Sequence, residues 1–213
     1  MGAVRDAQRK TSVRGERRRQ LLLEAAGKLI MQRGFAAVSH RAVAQYADLP
    51  LAATTYYFAS LDDLLAETVH YLAKDWLEKA RHEVRKLDTP IRDAEALAEA
   101  LIRVAAPVPV GSADVDRTAL LSLYERYVEA ARQPQLRAVI AAYDSRIEAL
   151  LTDTLRLHAG PAVPYRDIEA AGGVLLAVID GALLRILAEG ADLASATTTV
   201  QCLIELLTGP REG

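Results

Sequence analysis

The chain has 213 residues and a single cysteine, Cys202, so no disulfide can form within it. The apolar neighbours of that thiol, in VQCLIELL, lead us to expect it buried and unreactive. Strand signals are also missing. There is no Asn-Gly hairpin and no alternating run of β-branched residues, which argues against a sheet. No apolar run approaches the ~20 residues that a membrane span needs, so no membrane association is expected. Residues 1–20, MGAVRDAQRKTSVRGERRRQ, are charged and lack the apolar centre of a signal peptide, which points to a cytoplasmic protein. The chain carries no P-loop, no Gly-x-Gly-x-x-Gly and no Gly-x-Ser-x-Gly. His40, His70, His82 and His158 have neither cysteine partners nor the i, i+4 spacing of a helical metal site. No enzyme, metal or cofactor is therefore expected.

About half the residues are apolar and a quarter are charged, the balance of a folded protein. The net charge of −2 conceals an asymmetry. Residues 1–60 hold ten Lys/Arg against four Asp/Glu, whereas the remainder holds sixteen against twenty-four. The first part suits a polyanion and the second would be repelled by one.

Apolar residues recur at spacings of three and four, which predicts an all-α protein of about nine helices. A first helix is expected over 17–33, with Leu21, Leu22, Ala25, Ala26 and Leu29 or Ile30 facing inward and Gly34 closing it. Ser39 is a good N-cap for a second helix through Ala47. Pro50 fits the first position of a third, ending near Phe58. Ser60-Leu61-Asp62-Asp63 has capping-box spacing and opens a long fourth helix to about Leu87, broken by Asp88-Thr89-Pro90. A fifth runs over 91–106, followed by a loop at 107–112. Later helices are expected at 114–131, 134–158, 165–189 and 192–207, with breaks at Gln133-Pro134, residues 160–164 and Gly190.

The short second and third helices, joined by Ala47-Asp48-Leu49, have the shape of a helix-turn-helix whose second helix enters the major groove. On a helical wheel, Leu51, Thr55 and Phe58 fall inward with Thr54 at the edge, and Ala52, Ala53, Tyr56 and Tyr57 fall outward. Small alanines allow close approach to base edges, and hydroxyls donate to phosphate oxygens. The candidate DNA contacts are Arg17, Ser39, His40, Arg41, Leu51, Ala52, Ala53, Thr54, Tyr56 and Tyr57.

The stretch from Arg18 to Val69 resembles the N-terminal domain of the TetR/AcrR family of transcriptional regulators. The landmarks are Leu22, Ala25 and Ala26, then Gly34-Phe35, Val43-Ala44, Tyr57-Phe58-x-Ser60 and Leu64-Leu65. Three positions depart from that pattern. Asp48 stands where the turn usually has Gly, Pro50 where a hydroxyl residue usually opens the recognition helix, and Leu61 where a Lys is usual. The last two remove expected phosphate contacts. Basic residues at 5, 9, 10, 14 and 17–19 are candidates to replace them.

The basic residues suggest a flexible tail (1–15); the resemblance implies a DNA-binding domain (16–60) and a helical domain (61–213) that dimerises and binds a small molecule. AVIDGALLRILAEG is similar to the family's dimer-forming helix. The implied interface comprises Gly172, Gly173, Leu176, Ile179, Leu183, Leu203, Ile204 and Leu207. Polar and aromatic residues on apolar helices, namely Trp76, Arg103, Tyr124, Tyr127, Tyr143 and Asp180, are the candidates to orient a ligand. The expected function is that of a homodimeric repressor, released from a palindromic operator by a small-molecule effector. The alternative is a helical scaffold without sequence-specific DNA binding.

Overall fold

The computed structural model describes the backbone of residues 2–87, 91, 93–106, 115–158 and 165–208, and their side chains except at 2–12 and 165–169. The breaks expected at 88–90, 107–112 and 160–164 lie outside the described residues. Among the described residues the chain forms nine α-helices, one 3-10 turn and no strand. They are α1 (Gly2–Arg33), α2 (His40–Tyr46), α3 (Leu51–Tyr57), α4 (Leu61–Arg85), α5 (Ala94–Ala105), α6 (Arg117–Arg132), α7 (Pro134–His158), α8 (Tyr165–Glu189) and α9 (Leu193–Thr208). The 3-10 turn spans Phe35–Ala37.

Local chemistry sets most of the boundaries. Ser39 and Ser60 accept from the amides of Ala42 and Asp63, and Asp93 and Asp116 cap α5 and α6 in the same way. Gly34 (φ 79°) and Asp48 (φ 53°) adopt the left-handed backbone their turns demand. The helix α1 differs from expectation: its backbone is helical from Gly2, through the stretch read as a flexible tail. Between Gly2 and Arg17 the good helix formers Ala3, Arg5, Ala7, Gln8, Arg9, Lys10, Arg14 and Glu16 alternate with the weaker Val4, Asp6, Thr11, Ser12, Val13 and Gly15, and no proline interrupts them.

The helices α1, α2 and α3 pack together, and α4 leads away from them into the remaining bundle. There α7 lies against α4 and α8, while α9 lies against α5 and α8. One apolar cluster runs from Leu22 on α1 to Ile204 on α9, so the core is continuous across the boundary expected at residue 60. The inward stripe of α1 is Leu22, Leu23, Ala25, Ala26, Leu29 and Ile30, whereas Leu21 is exposed.

Three further expectations are corrected here. Cys202 is exposed, because α9 buries Ala196, Val200 and Ile204 and turns the thiol away from them. One helical stretch, Ala170–Glu189, is long and apolar enough to cross a membrane by length and composition. Its inner side is core, and its Asp180 is hydrogen-bonded inside the bundle. Finally, Leu176, Ile179, Leu183 and Ile204, read as interface, are buried within the single chain. A Cβ at Gly172 would collide with the Glu148 carbonyl and the Thr152 hydroxyl of α7, so that glycine serves the α7–α8 crossing. Gly173 is exposed, and Leu203 and Leu207 are half-buried. The outer faces left apolar are Val174, Ala177, Gly181 and Leu184 on α8, with Cys202 and Leu206 on α9.

Candidate functional site

The helix α3 has seven residues, so its rotational setting depends on what it packs against. Thr54 is fully buried, and its hydroxyl donates to the Leu51 carbonyl at 2.7 Å. Phe58 is buried beside it. The exposed face is therefore Leu51, Ala52, Thr55 and Tyr56, the last 81% exposed. This is roughly one residue of rotation, about 100°, from the sequence-based setting. Thr54 is removed from the candidate contacts, and Thr55, which that setting had placed inward, joins them. Ala53 and Tyr57 are half-buried against the core. Pro50 occupies the N-cap position itself, one place earlier than expected, and supplies no side-chain cap.

Basic residues of α1 stand beside this face, Arg14 and Arg18 among them. Arg14, Arg17, Arg18 and Arg41 are exposed. A cleft of about 650 Å³ between α1 and α3 is lined by Arg14, Arg18, Pro50, Ala52, Tyr56 and Tyr57. Guanidinium groups and phenol hydroxyls on one open groove suit phosphate oxygens. Ser39 accepts from the Ala42 amide at 3.1 Å, which leaves its own O–H free to donate outward. His40 is half-buried. Arg19 differs from its neighbours. It pairs with Glu67 of α4 at 2.9 Å and lies 5.7 Å from the Phe58 ring centroid, so it holds α1, α3 and α4 together.

A second cluster lies in the bundle. Of the six candidate ligand residues, Trp76, Tyr124, Tyr127, Tyr143 and Asp180 come together. Arg103 does not: it forms ion pairs with Glu99 and Glu83 on the outside of α5. The centre is a residue missed in the sequence, Arg126, which is 1% exposed. Its guanidinium lies 4.2 Å from the Tyr127 ring centroid, 5.3 Å from Tyr143, and 5.8 Å from both Trp76 and Tyr124. Asp144, also missed, lies 3.6 Å away. Arg126 donates to the Tyr127 hydroxyl at 3.0 Å. Tyr124 donates to Asp180 at 2.8 Å, and the Tyr127 hydroxyl lies 3.2 Å from both Asp144 and Asp180. The signal for Arg126 was its register: it stands on the α6 stripe of Ala119, Ser122, Leu123 and Ala130, all buried.

Burial pushes the Asp180 carboxyl above the ordinary range, although hydrogen bonds from Tyr124 and the nearby Arg126 oppose it. Burial raises Asp144 likewise, against Arg126 and Tyr127. Burial works against the Arg126 charge, but the phenols and carboxylates around it outweigh that and hold its pKa above the usual value.

The helix α6 joins the two regions. Ser122 donates to the Ile30 carbonyl at 2.9 Å, and Glu125 accepts from the Phe35 amide at 3.2 Å. A side chain at Gly34 would collide with that carboxylate. One turn on, the same helix carries Arg126 and Tyr127.

Comparison with known proteins gives two family matches. Residues 22–68 match the profile "Bacterial regulatory proteins, tetR family", and residues 92–209 match "Tetracyclin repressor-like, C-terminal domain". The chain is 28% identical over 199 residues to the HTH-type transcriptional regulator BetI of Burkholderia thailandensis, covering 92% of this chain and 96% of that one. Against BetI of Brucella suis biovar 1 the identity is 27%, over 89% and 90% of the two chains. Among solved structures, the multidrug binding protein EbrR complexed with proflavin superposes with a TM-score of 0.65 at 31% identity, covering 89% of this chain and 99% of that one. SCO1917 from Streptomyces coelicolor A3, a member of the TetR family, gives 0.62 at 31% identity over 91% and 99%.

Proposed function

The chain belongs to the TetR family of transcriptional regulators, and from that premise we propose that it is a homodimeric repressor whose hold on a palindromic operator is relaxed by a small-molecule effector. The family is one of regulators, not enzymes. The observation that carries the effector-responsive part of this reading is the double engagement of α6. One helix grips the end of α1 through Ser122 and Glu125 and supplies Tyr124, Arg126 and Tyr127 to the buried cluster. An effector that rearranges the cluster moves α6, and α6 re-aims the DNA-binding helices. A coupling of about 1–3 kcal/mol would be typical for such a device.

In this reading the exposed face of α3, with Arg14, Arg17, Arg18, Ser39 and Arg41, meets the duplex. The apolar outer faces of α8 and α9 cover each other across a two-fold axis. That symmetry would match half-sites about 34–36 Å apart. The EbrR structures with proflavin and ethidium support a small-molecule effector for this chain as well. Its place is then beside Trp76, Tyr124, Tyr127, Tyr143 and Asp180. A regulator of this kind acts in the cytoplasm, where the DNA is.

Selection of bound sequences from random duplex DNA by the full chain tests the proposal. The expected product is an inverted repeat, bound with affinity that falls steeply with salt. Recovery of no preferred sequence, with binding equal to that for heparin, would favour a helical scaffold instead.

A further inference from the structure

The cluster around Arg126 has the chemistry of a cation receptor that already contains a cation. Side chains from four helices enclose it: Trp76 from α4, Tyr124 and Tyr127 from α6, Tyr143 and Asp144 from α7, and Asp180 from α8. Four ring centroids lie within 6 Å of one guanidinium carbon, the range in which a ring quadrupole attracts a positive charge. Such a set of faces favours any organic cation, not arginine alone.

Arg126 is an imperfect occupant. Its Nε, although buried, has no hydrogen-bond partner among the described residues, and neither has the buried Tyr143 hydroxyl. Its approach to Asp144 is 3.6 Å, without the two-pronged geometry that a guanidinium and a carboxylate form when built for each other. Two carboxylates also surround a single guanidinium, so with both ionised the cage is short of one positive charge. An arginine kept only for packing would be expected to have its donors satisfied.

We propose that this cage is a binding site for a compact organic monocation, and that Arg126 fills it as a built-in stand-in until such an effector displaces its guanidinium. This deepens the effector-responsive reading above and rests on it. Displacement would act at the right place. Arg126 lies one turn beyond Ser122 and next to Glu125, the residues that hold Ile30 and Phe35 of the DNA-binding part. When Arg126 leaves the cage, α6 keeps only Tyr124 and Tyr127 as anchors there, and the grip on α1 shifts with the change. The internal cation thus holds the operator-competent form, and the external one releases it.

Trp76 is the only tryptophan in the chain, so its emission reports on the cage directly. The test titrates the full chain with benzamidinium and with benzamide, a planar pair of matched shape that differs in charge. The wild type should give a saturable change with benzamidinium and none with benzamide. Arg126→Met removes the internal competitor and should tighten benzamidinium binding by roughly tenfold or more. Asp180→Asn removes a cage charge and should weaken it by about as much. An equal response to the neutral compound, no response to either, or no tightening in a folded R126M would overturn the proposal. Should circular dichroism show R126M unfolded, the wild type and D180N decide: an undiminished D180N response overturns it and a weakened one supports it. The same samples, assayed on duplex DNA, separate this idea from its premise. Retained DNA binding without cation selectivity removes the cage alone, whereas cation selectivity without DNA binding removes the regulator reading.

Discussion

The Ser122 hydroxyl donates to the Ile30 carbonyl at 2.9 Å, across 92 residues of sequence and with both ends buried. The same carbonyl accepts from the Gly34 amide at 2.8 Å, where α1 ends. One oxygen thus receives both the bond that closes α1 and a bond from α6. We predict that Ser122→Ala costs about 1 kcal/mol, lowering Tm by roughly 2–4 °C, because the carbonyl keeps its Gly34 partner. Differential scanning calorimetry checks the stability. In the proposed mechanism the same variant should bind operator nearly normally but respond less to effector.

The setting of α3 separates two adjacent threonine and tyrosine pairs. Tyr56→Ala should weaken operator binding roughly tenfold, about 1–1.5 kcal/mol, with Tm unchanged, since the ring is 81% exposed. Thr54→Val should do the reverse. It loses the bond to the Leu51 carbonyl and about 1 kcal/mol of stability, while affinity for DNA holds. Paired gel-shift and thermal-melt measurements decide, and a loss of DNA binding confined to Thr54→Val would show the helix set the other way round.

Leu206 is 82% exposed and shares the outer side of α9 with Cys202. Leu206→Glu therefore costs the isolated chain little but places a carboxylate in the proposed two-fold interface. Sedimentation velocity should find the wild type dimeric and this variant shifted toward monomer, with a dimer Kd weaker by at least about tenfold. Cys202 should react faster with a thiol reagent in the variant than in the wild type. Unchanged sedimentation would move the interface elsewhere.

His158 accepts from the Ile91 amide through Nδ1 at 2.8 Å, which ties the end of α7 to the entry of α5. Burial lowers its pKa below 6.5. The unfolded chain therefore takes up this proton first as pH falls. The bond's contribution is complete above about pH 6.5 and is lost as pH drops through the folded value. His158→Gln keeps an acceptor that does not titrate. Its Tm should fall less than that of the wild type between pH 7.5 and 5. Asp144 and Asp180, raised by burial, oppose this trend in both proteins and so leave the difference between them intact.

What the sequence determined by itself was whatever depends on neighbours along the chain. Ser39, Ser60 and Pro134 mark helix starts, and Gly34 and Asp48 mark the left-handed turns, because capping and backbone sterics act within a few residues. The helical class, the basic first part and the motif of α2 and α3 were legible for the same reason. The tertiary structure decided which way each helix faces. In α3, fewer than two turns cannot define a stripe, and packing against α1 and α2 chose Thr54 over Leu51 and Thr55. In α8, apolar residues surround the whole helix, so only packing against α7 and α9 could separate core from open face. Arg126 shows the limit most clearly. A charged residue is read as exposed until rings and carboxylates from three other helices, distant in sequence, are brought around it, and only folding does that.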